Sequence, residues 1–412
     1  MNAPKVSGTL MAWFVPFFAE GAALGRSIAF AWLIGAEELG QAMILALTLR
    51  LVEMASDVGL DRLMIQAPDG DCPDLQAGLH GISLLRGLAG TAILLVLAAP
   101  LALLFDSGPA VSSYALLAFV PLLRGFAHLD FRRAERGFRY SRMAVVEGGA
   151  TLAMLIAILP AVLRLGDHRA MVAVLIAHAA AYALLSHCTA QRRYTVSFDT
   201  LVMRRAWVFG APLVLNAFLL FLTFYADRVI VAQGYNWASL ALYGVVLQSA
   251  LLPAQIVGRA ASSLVLPRLR ASLASSSLAQ VWPSILMAHV LLAAAMGLAF
   301  ATLAPALIAM VYGEALRPDV LLAACVATAA AFRIVRTPYS QLAIALGRTA
   351  DPARANLLRA IALGPAVVFA ATGLPLAMIG LAGALGEAAA TLRAIQLSRN
   401  TAPARVAGEV YA

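Results

Sequence analysis

The chain has 412 residues, 62% of them apolar and only 12% charged, with a net charge of +9 and a mean hydropathy of +0.85. A soluble domain carries roughly 25% charged residues, so this composition excludes one. The surplus of arginine is then expected at the cytoplasmic ends of membrane helices rather than on nucleic acid. Two stretches, Ala271 to Gly313 and Ala360 to Gly386, hold no Asp, Glu, Lys or Arg. Helical membrane crossing needs about 20 mainly apolar residues, and a β-barrel, whose strands alternate over about ten residues, would not need such runs.

Breaks at Gly, Pro and charge clusters divide the chain into about twelve apolar segments. In order they are 8–34, 39–61, 78–105, 110–130, 143–164 and 170–190, then 206–233, 238–266, 282–312, 319–347, 355–372 and 376–397. The first run, which follows Lys5, is interrupted by Glu20 and Arg26 and is too long for a signal-peptide core, so it is expected to stay as a helix. Arginines gather in alternate loops: Arg132, Arg133, Arg136, Arg139 and Arg142; Arg192, Arg193, Arg204 and Arg205; Arg268 and Arg270; Arg348 and Arg354; and Arg399 with Arg405 in the tail. The positive-inside rule then places both termini in the cytoplasm. One inner loop, 61–76, breaks the pattern with Asp69, Asp71 and Asp74.

A short internal repeat relates Gly25–Gly40 to Asp227–Gly244 at an offset near 202 residues. It predicts two six-helix lobes, 1–196 and 197–412, of the kind that hold a substrate between them in secondary transporters.

No G-x-x-x-x-G-K-[ST], H-E-x-x-H or G-x-S-x-G motif occurs, the six histidines are scattered, and Cys72, Cys188 and Cys325 lie far apart. No metal, no cofactor and no catalysis are expected. What remains is charge inside the membrane, where an Arg or Asp at a helix centre costs about 2.5–3.5 kcal/mol and usually faces a cavity or a partner. Arg26, Arg50, Arg259 and Arg333 fall deepest. Two readings stay open for them: a water-filled cationic cavity, or pairing with Glu20, Glu53 or Asp57. Arg86, Arg124 and Arg336 are expected to snorkel from segment ends. At about 100° per residue, Arg50, Glu53, Asp57 and Asp61 fall within an arc of about 80° on the second segment. That stripe predicts either neutralisation of Glu53 by Arg50 or proton or sodium exchange at Glu53 or Asp57. Gly21 and Gly25 predict a close helix approach, and Pro212, Pro253, Pro283, Pro305 and Pro338 punctuate the later segments.

The Arg-rich, aromatic run from Leu129 to Arg142, followed by Val145 to Gly148, resembles the loop between the fourth and fifth helices of polysaccharide flippases. These form one branch of the multidrug/oligosaccharidyl-lipid/polysaccharide exporter superfamily. Leu33–Gly40, Ser56–Gln66, Asp227–Val231, Leu264–Arg268 and Ala345–Arg348 resemble the same family in order along the chain. The resemblance implies an all-α integral membrane protein with about twelve helices in a V-shaped 6+6 pair. It also implies movement of an undecaprenyl-pyrophosphate-linked oligosaccharide to the periplasmic leaflet by alternating access, for O-antigen or exopolysaccharide synthesis beside polymerase machinery. In the related lipid II flippase, arginines of the first, second and eighth helices line the cavity, and Arg26, Arg50 and Arg259 stand on those segments here. Two rivals stay open. A cation-coupled multidrug antiporter of the same superfamily would need cavity carboxylates, and a membrane glycan polymerase or ligase would elongate glycans unaided.

Overall fold

Gly35 decides the start of the fold. The helical stretch Val6–Ala55 is two helices meeting at this residue, whose backbone (φ 82°, ψ 174°) is open to glycine and closed to a side chain. We call the two parts α1 and α2; the polar loop expected between them is a single residue. The computed structural model describes residues 6–106 and 108–399; Lys5 and Arg405 lie outside them. The further helices long and apolar enough to span a membrane are α3 (Pro73–Leu104), α5 (Ser141–Leu165), α6 (Arg169–Cys188), α7 (Thr200–Gly234), α8 (Trp237–Ala274), α9 (Leu278–Tyr312), α10 (Val320–Ala345), α11 (Ala350–Ala371) and α12 (Ala377–Arg399). Between α3 and α5 stands a bent pair, Val111–Gly125 and Asp130–Arg136, turned by 53°; we call it α4. With α1 and α2 counted separately these make twelve, and the protein is an all-α membrane protein.

Local chemistry sets several boundaries. Pro73 opens α3 at a position where its missing N–H costs nothing. The side chains of Asn236 and Asp319 accept from the backbone N–H groups of Ser239 and Leu322 (2.8 and 2.6 Å), capping α8 and α10. The expected prolines all lie inside helices: Pro212 in α7, Pro253 in α8, Pro283 and Pro305 in α9 and Pro338 in α10. α2 ends at Ala55, six residues before the expected end. Ser56 Oγ donates to Val52 O (2.8 Å), and the Asp57 carboxylate accepts from Gly59 N–H (3.0 Å). These local bonds compete with the helical ladder, and a separate short helix, Leu60–Gln66, follows.

The chain divides into two compact units, Met1–Phe221 and Leu222–Ala412, with the boundary inside α7. Burial is inverted relative to a soluble protein. Leu103, Leu163 and Val96 are 80%, 76% and 73% exposed, whereas Asp130 and His80 are fully buried and Glu387 is 2% exposed. Such a surface suits hydrocarbon, in which backbone polar groups must be satisfied within the helices.

In the first unit, loops expected on one side share one end. Residues 61–72 bond to 132–136, Arg205 and, through Gln76, Arg192. At the other end Glu38 Oε2 lies 2.8 Å from His168 Nδ1, and His168 Nε2 lies 3.5 Å from Ser113 Oγ.

The close approach predicted at Gly21 and Gly25 does not occur: a Cβ at either would meet nothing within 4 Å. It occurs between α3 and α4 instead, where a Cβ on Gly87 would lie 2.7 Å from Pro121 O and 2.8 Å from Gly125 Cα. Both neighbours are backbone and cannot rotate away. Gly87→Val is therefore expected to destabilise the first unit by about 1–3 kcal/mol, read as a lowered melting temperature in detergent; an unchanged temperature would contradict this packing.

Candidate functional site

The first unit has an open cavity of about 370 Å³ into which several charged side chains point. Glu53 reaches it from the last turn of α2, Asp57 and Asp61 from the chain that follows, Arg86 from α3, Arg124 and Arg132 from α4, Glu147 from α5, and His178 and Tyr182 from α6. The sequence puts these groups there by ending α2 early, so that three acids fan into the interior instead of continuing one stripe. The expected stripe from Arg50 to Asp61 is thus corrected, because Asp57 and Asp61 are off the helix that carries Arg50.

The charges in this cavity are paired across helices. Arg124 Nη1 stands 2.8 Å from Glu53 Oε1, and Arg86 Nη1 stands 3.5 Å from Asp57 Oδ1. Arg132 meets three carboxylates at once: Asp61 at 3.1 Å, Glu135 at 2.7 Å and Glu147 at 2.5 Å. Partly buried charges are stabilised by pairing of this kind. This corrects two expectations. Arg86 and Arg124 do not snorkel, and Glu53 is neutralised by Arg124 rather than by Arg50, which is exposed.

The anomalous acidic loop finds its reason at the same end of the unit. Asp71 lies 3.5 Å from Arg133 and 3.9 Å from Arg136, and Asp69 binds Arg205 in bidentate fashion at 2.6 and 2.7 Å. That hydrogen-bonded guanidinium holds the Asp69 carboxyl below its ordinary range. Arg136 also donates to the carbonyls of Ile65 and Pro68 (2.8 and 3.0 Å) and to that of Ala67. Buried Asp130 holds Arg133 (2.7 Å), Arg142 (2.9 Å) and the backbone N–H of Gln191 (2.9 Å). Much of the Arg-rich run is therefore an internal clamp.

The second unit buries its own ion cluster. The Glu387 carboxylate on α12 forms ion pairs with Arg336 from α10 at 3.0 Å and Arg359 from α11 at 2.9 Å. Arg336 is 6% exposed, so it too is paired rather than snorkelling. The Arg333 and Arg359 guanidinium carbons stand 4.7 and 4.1 Å from the centre of the Phe224 ring on α7, within the range of cation–π attraction. Nearby, the Tyr243 hydroxyl donates to Asp227 (2.8 Å).

Of the four arginines expected deepest in the membrane, Arg26, Arg50, Arg259 and Arg333, none lines the first-unit cavity. Arg26, half-buried on α1, touches Met154 Sδ on α5 at 3.4 Å, and its Nε is buried without a hydrogen-bond partner. No carboxylate among the described residues pairs with Arg26. Arg333 has the face of Phe224 and likewise no carboxylate partner among the described residues. Arg259 is half-buried on α8. Glu53 and Asp57 do share the cavity. Sequence reasoning passed over Arg359 and Glu387, which border the charge-free stretch on either side; an acid inside an apolar segment was the signal.

A family model described as a polysaccharide biosynthesis protein matches residues 29–320. No curated protein sequence matches the chain. Among solved structures, the fold is similar to that of a lipid II flippase, MurJ, in an inward-closed conformation, with TM-score 0.76, 12% identity, and coverage of 95% of this chain and 87% of that one. It is similar to an inward-facing multidrug resistance MATE family transporter of the MOP superfamily, with TM-score 0.68, 13% identity, and coverage of 92% and 96%. The Vibrio cholerae MATE transporter VcmN in its bent form follows with TM-score 0.56, 15% identity, and coverage of 95% and 96%.

Proposed function

The chain belongs to the polysaccharide biosynthesis protein family and has the fold of the MOP-superfamily transporters, and from that premise we propose that it is a flippase for polyprenyl-pyrophosphate-linked oligosaccharides. In this reading it works by alternating access of two lobes, 1–196 and 197–412, in a bacterial inner membrane with both termini cytoplasmic. It delivers repeat units of an O-antigen or exopolysaccharide to the polymerase machinery outside.

Arg26 carries the reading. A guanidinium held in an apolar span, against a thioether and without a counter-ion among the described residues, suits an arriving anion. A pyrophosphate must shed water to leave the headgroup layer, and guanidinium offers charge-assisted, bidentate replacement bonds. In this proposal Arg50, Arg259 and Arg333 supply further positive charge along the route.

The rival antiporter needs carboxylates available to a cationic drug. The acids facing the first-unit cavity, and Glu387 in the second unit, each have an arginine already. The lipid II flippase is the similar structure whose own substrate is a lipid. Reconstitution discriminates the two. Purified protein in liposomes is expected to expose a polyprenyl-pyrophosphate-linked oligosaccharide to a membrane-impermeant lectin on the opposite face. Gradient-driven efflux of a cationic dye without movement of the glycolipid would establish the antiporter and remove this proposal.

A further inference from the structure

A second opening in the first unit lies at the end that carries the Arg-rich run, between the short helix Leu60–Gln66 and the first turns of α7. α7 crosses the turn before that helix at close range. A Cβ on Gly210 would stand 2.6 Å from Val58 Cα, and one on Gly59 would stand 2.5 Å from Leu213 Cδ1. From this crossing the two elements part toward Leu201 and leave an open groove of about 630 Å³. Its walls are apolar, with Leu63 and Ala67 on one side and Leu201, Val208 and Phe209 of α7 on the other.

Leu201, Arg204, Arg205 and Val208 have the i, i+3, i+4, i+7 spacing of one helix face, so two guanidiniums stand among these apolar side chains. They are not equivalent. Arg205 is held by Asp69 in bidentate fashion, whereas Arg204 is exposed and has no ion pair or hydrogen bond among the described residues. Two arginines against one aspartate leave the groove one net positive charge. Depth follows from length. The 35 residues of α7 extend about 52 Å at 1.5 Å per residue, while the hydrocarbon is about 30 Å thick. Arg204, in the second turn, therefore stands at the level of the headgroups, beside exposed Trp207, a residue type that favours this layer.

We propose that this groove binds one anionic phospholipid of the bilayer, with an acyl chain along its apolar walls and the phosphodiester on Arg204. The Gln66 side-chain amide, which also lines the groove, is a second donor. Guanidinium and phosphate oxygens form charge-assisted hydrogen bonds, and the acyl chain exchanges apolar contacts in the bilayer for apolar contacts in the groove, so the headgroup sets the preference. One net positive charge matches one phosphodiester. A zwitterionic headgroup brings its own cation, and a pyrophosphate carries more negative charge than the groove offsets. The bound lipid bridges the short helix and α7 where they part. This site stands apart from the transport reading and does not depend on it.

The test is native mass spectrometry of the whole protein, released from detergent after incubation with phosphatidylglycerol or with phosphatidylcholine of the same chain length. Wild type is expected to retain one phosphatidylglycerol under conditions that strip phosphatidylcholine, and Arg204→Ala is expected to weaken that binding about tenfold. Val208→Trp, which fills the groove and keeps its charge, is expected to weaken it too. Arg193→Ala removes another exposed arginine, outside the groove, and is expected to leave binding unchanged. Arg204, Val208 and Arg193 are all exposed, so these variants are expected to fold as wild type does. Equal retention of the two lipids, full binding by Arg204→Ala, or an equal loss in Arg193→Ala overturns the site, since each reduces it to general attraction between charges. A polyprenyl-pyrophosphate-linked glycolipid held more tightly than phosphatidylglycerol, and lost in Arg204→Ala, would give the groove to the transported lipid and overturn the phospholipid assignment.

Discussion

Glu387→Ala is expected to destabilise the second unit by about 3–5 kcal/mol, the cost of removing one partner from a buried ion cluster. Two guanidiniums, Arg336 and Arg359, meet on this one carboxylate, which is 2% exposed. Deleting it strands two positive charges in a region already holding Arg333, and their mutual repulsion adds to the desolvation cost. Glu387→Gln keeps the volume and a carbonyl dipole but removes the charge, and is expected to fall between alanine and wild type. The measurement is thermal unfolding in detergent, with the apolar triple variant Arg336→Met, Arg359→Met, Glu387→Leu as control. If the cluster behaves as other buried ion clusters do, that triple variant recovers much of the loss, because no charge is then left unpaired. Alanine tolerated at position 387 without a shift would mean that the two arginines find other partners.

Arg26→Ala is expected to slow translocation of the glycolipid about tenfold to a hundredfold while leaving folding nearly intact. The two halves of this expectation have different origins. Hydrogen bonds to charged groups contribute about 1.5–3 kcal/mol each, which sets the rate effect through transition-state arithmetic. Folding is spared because no carboxylate among the described residues depends on Arg26 and its sole polar contact is the Met154 sulfur. Arg26→Lys keeps the charge but not the planar fork, so it is expected to retain part of the rate. Loss of fold without loss of specific rate would make Arg26 a packing residue and remove the main support for an anionic substrate.

The pair of experiments separates the roles of buried arginine in this protein. Arg336 and Arg359 are held by an acid and hold helices together. Arg26 is held by apolar contacts and is the better candidate for contact with something outside the chain.

How legible these roles were depended on how local the information was. Segment positions followed from run length and punctuation, with ends that differ by up to eight residues, as at the C-terminal end of α8. The failures came where a short-range bond overrode the pattern. A wheel drawn from Arg50 to Asp61 assumed a helix, but Ser56 and Asp57 turn their side chains onto the backbone and end it at Ala55. The glycines at 21 and 25 had the spacing for close packing and met nothing, whereas Gly87 and Gly125, far apart in sequence, touch. The acidic loop that broke the charge rule proved to be the counter-charge of the Arg-rich run, through pairs such as Asp61–Arg132 and Asp71–Arg133.

By itself the sequence determined that the chain spans a membrane as helices and about how many there are. Hydrophobic length and residue type are properties of short stretches and need no partner to be read. Only the tertiary structure decided which arginine meets which acid. Glu53 meets Arg124, and Glu387 meets Arg336 and Arg359, because a charge in low dielectric is stabilised by whatever group packing brings within a few ångströms, regardless of its distance along the chain.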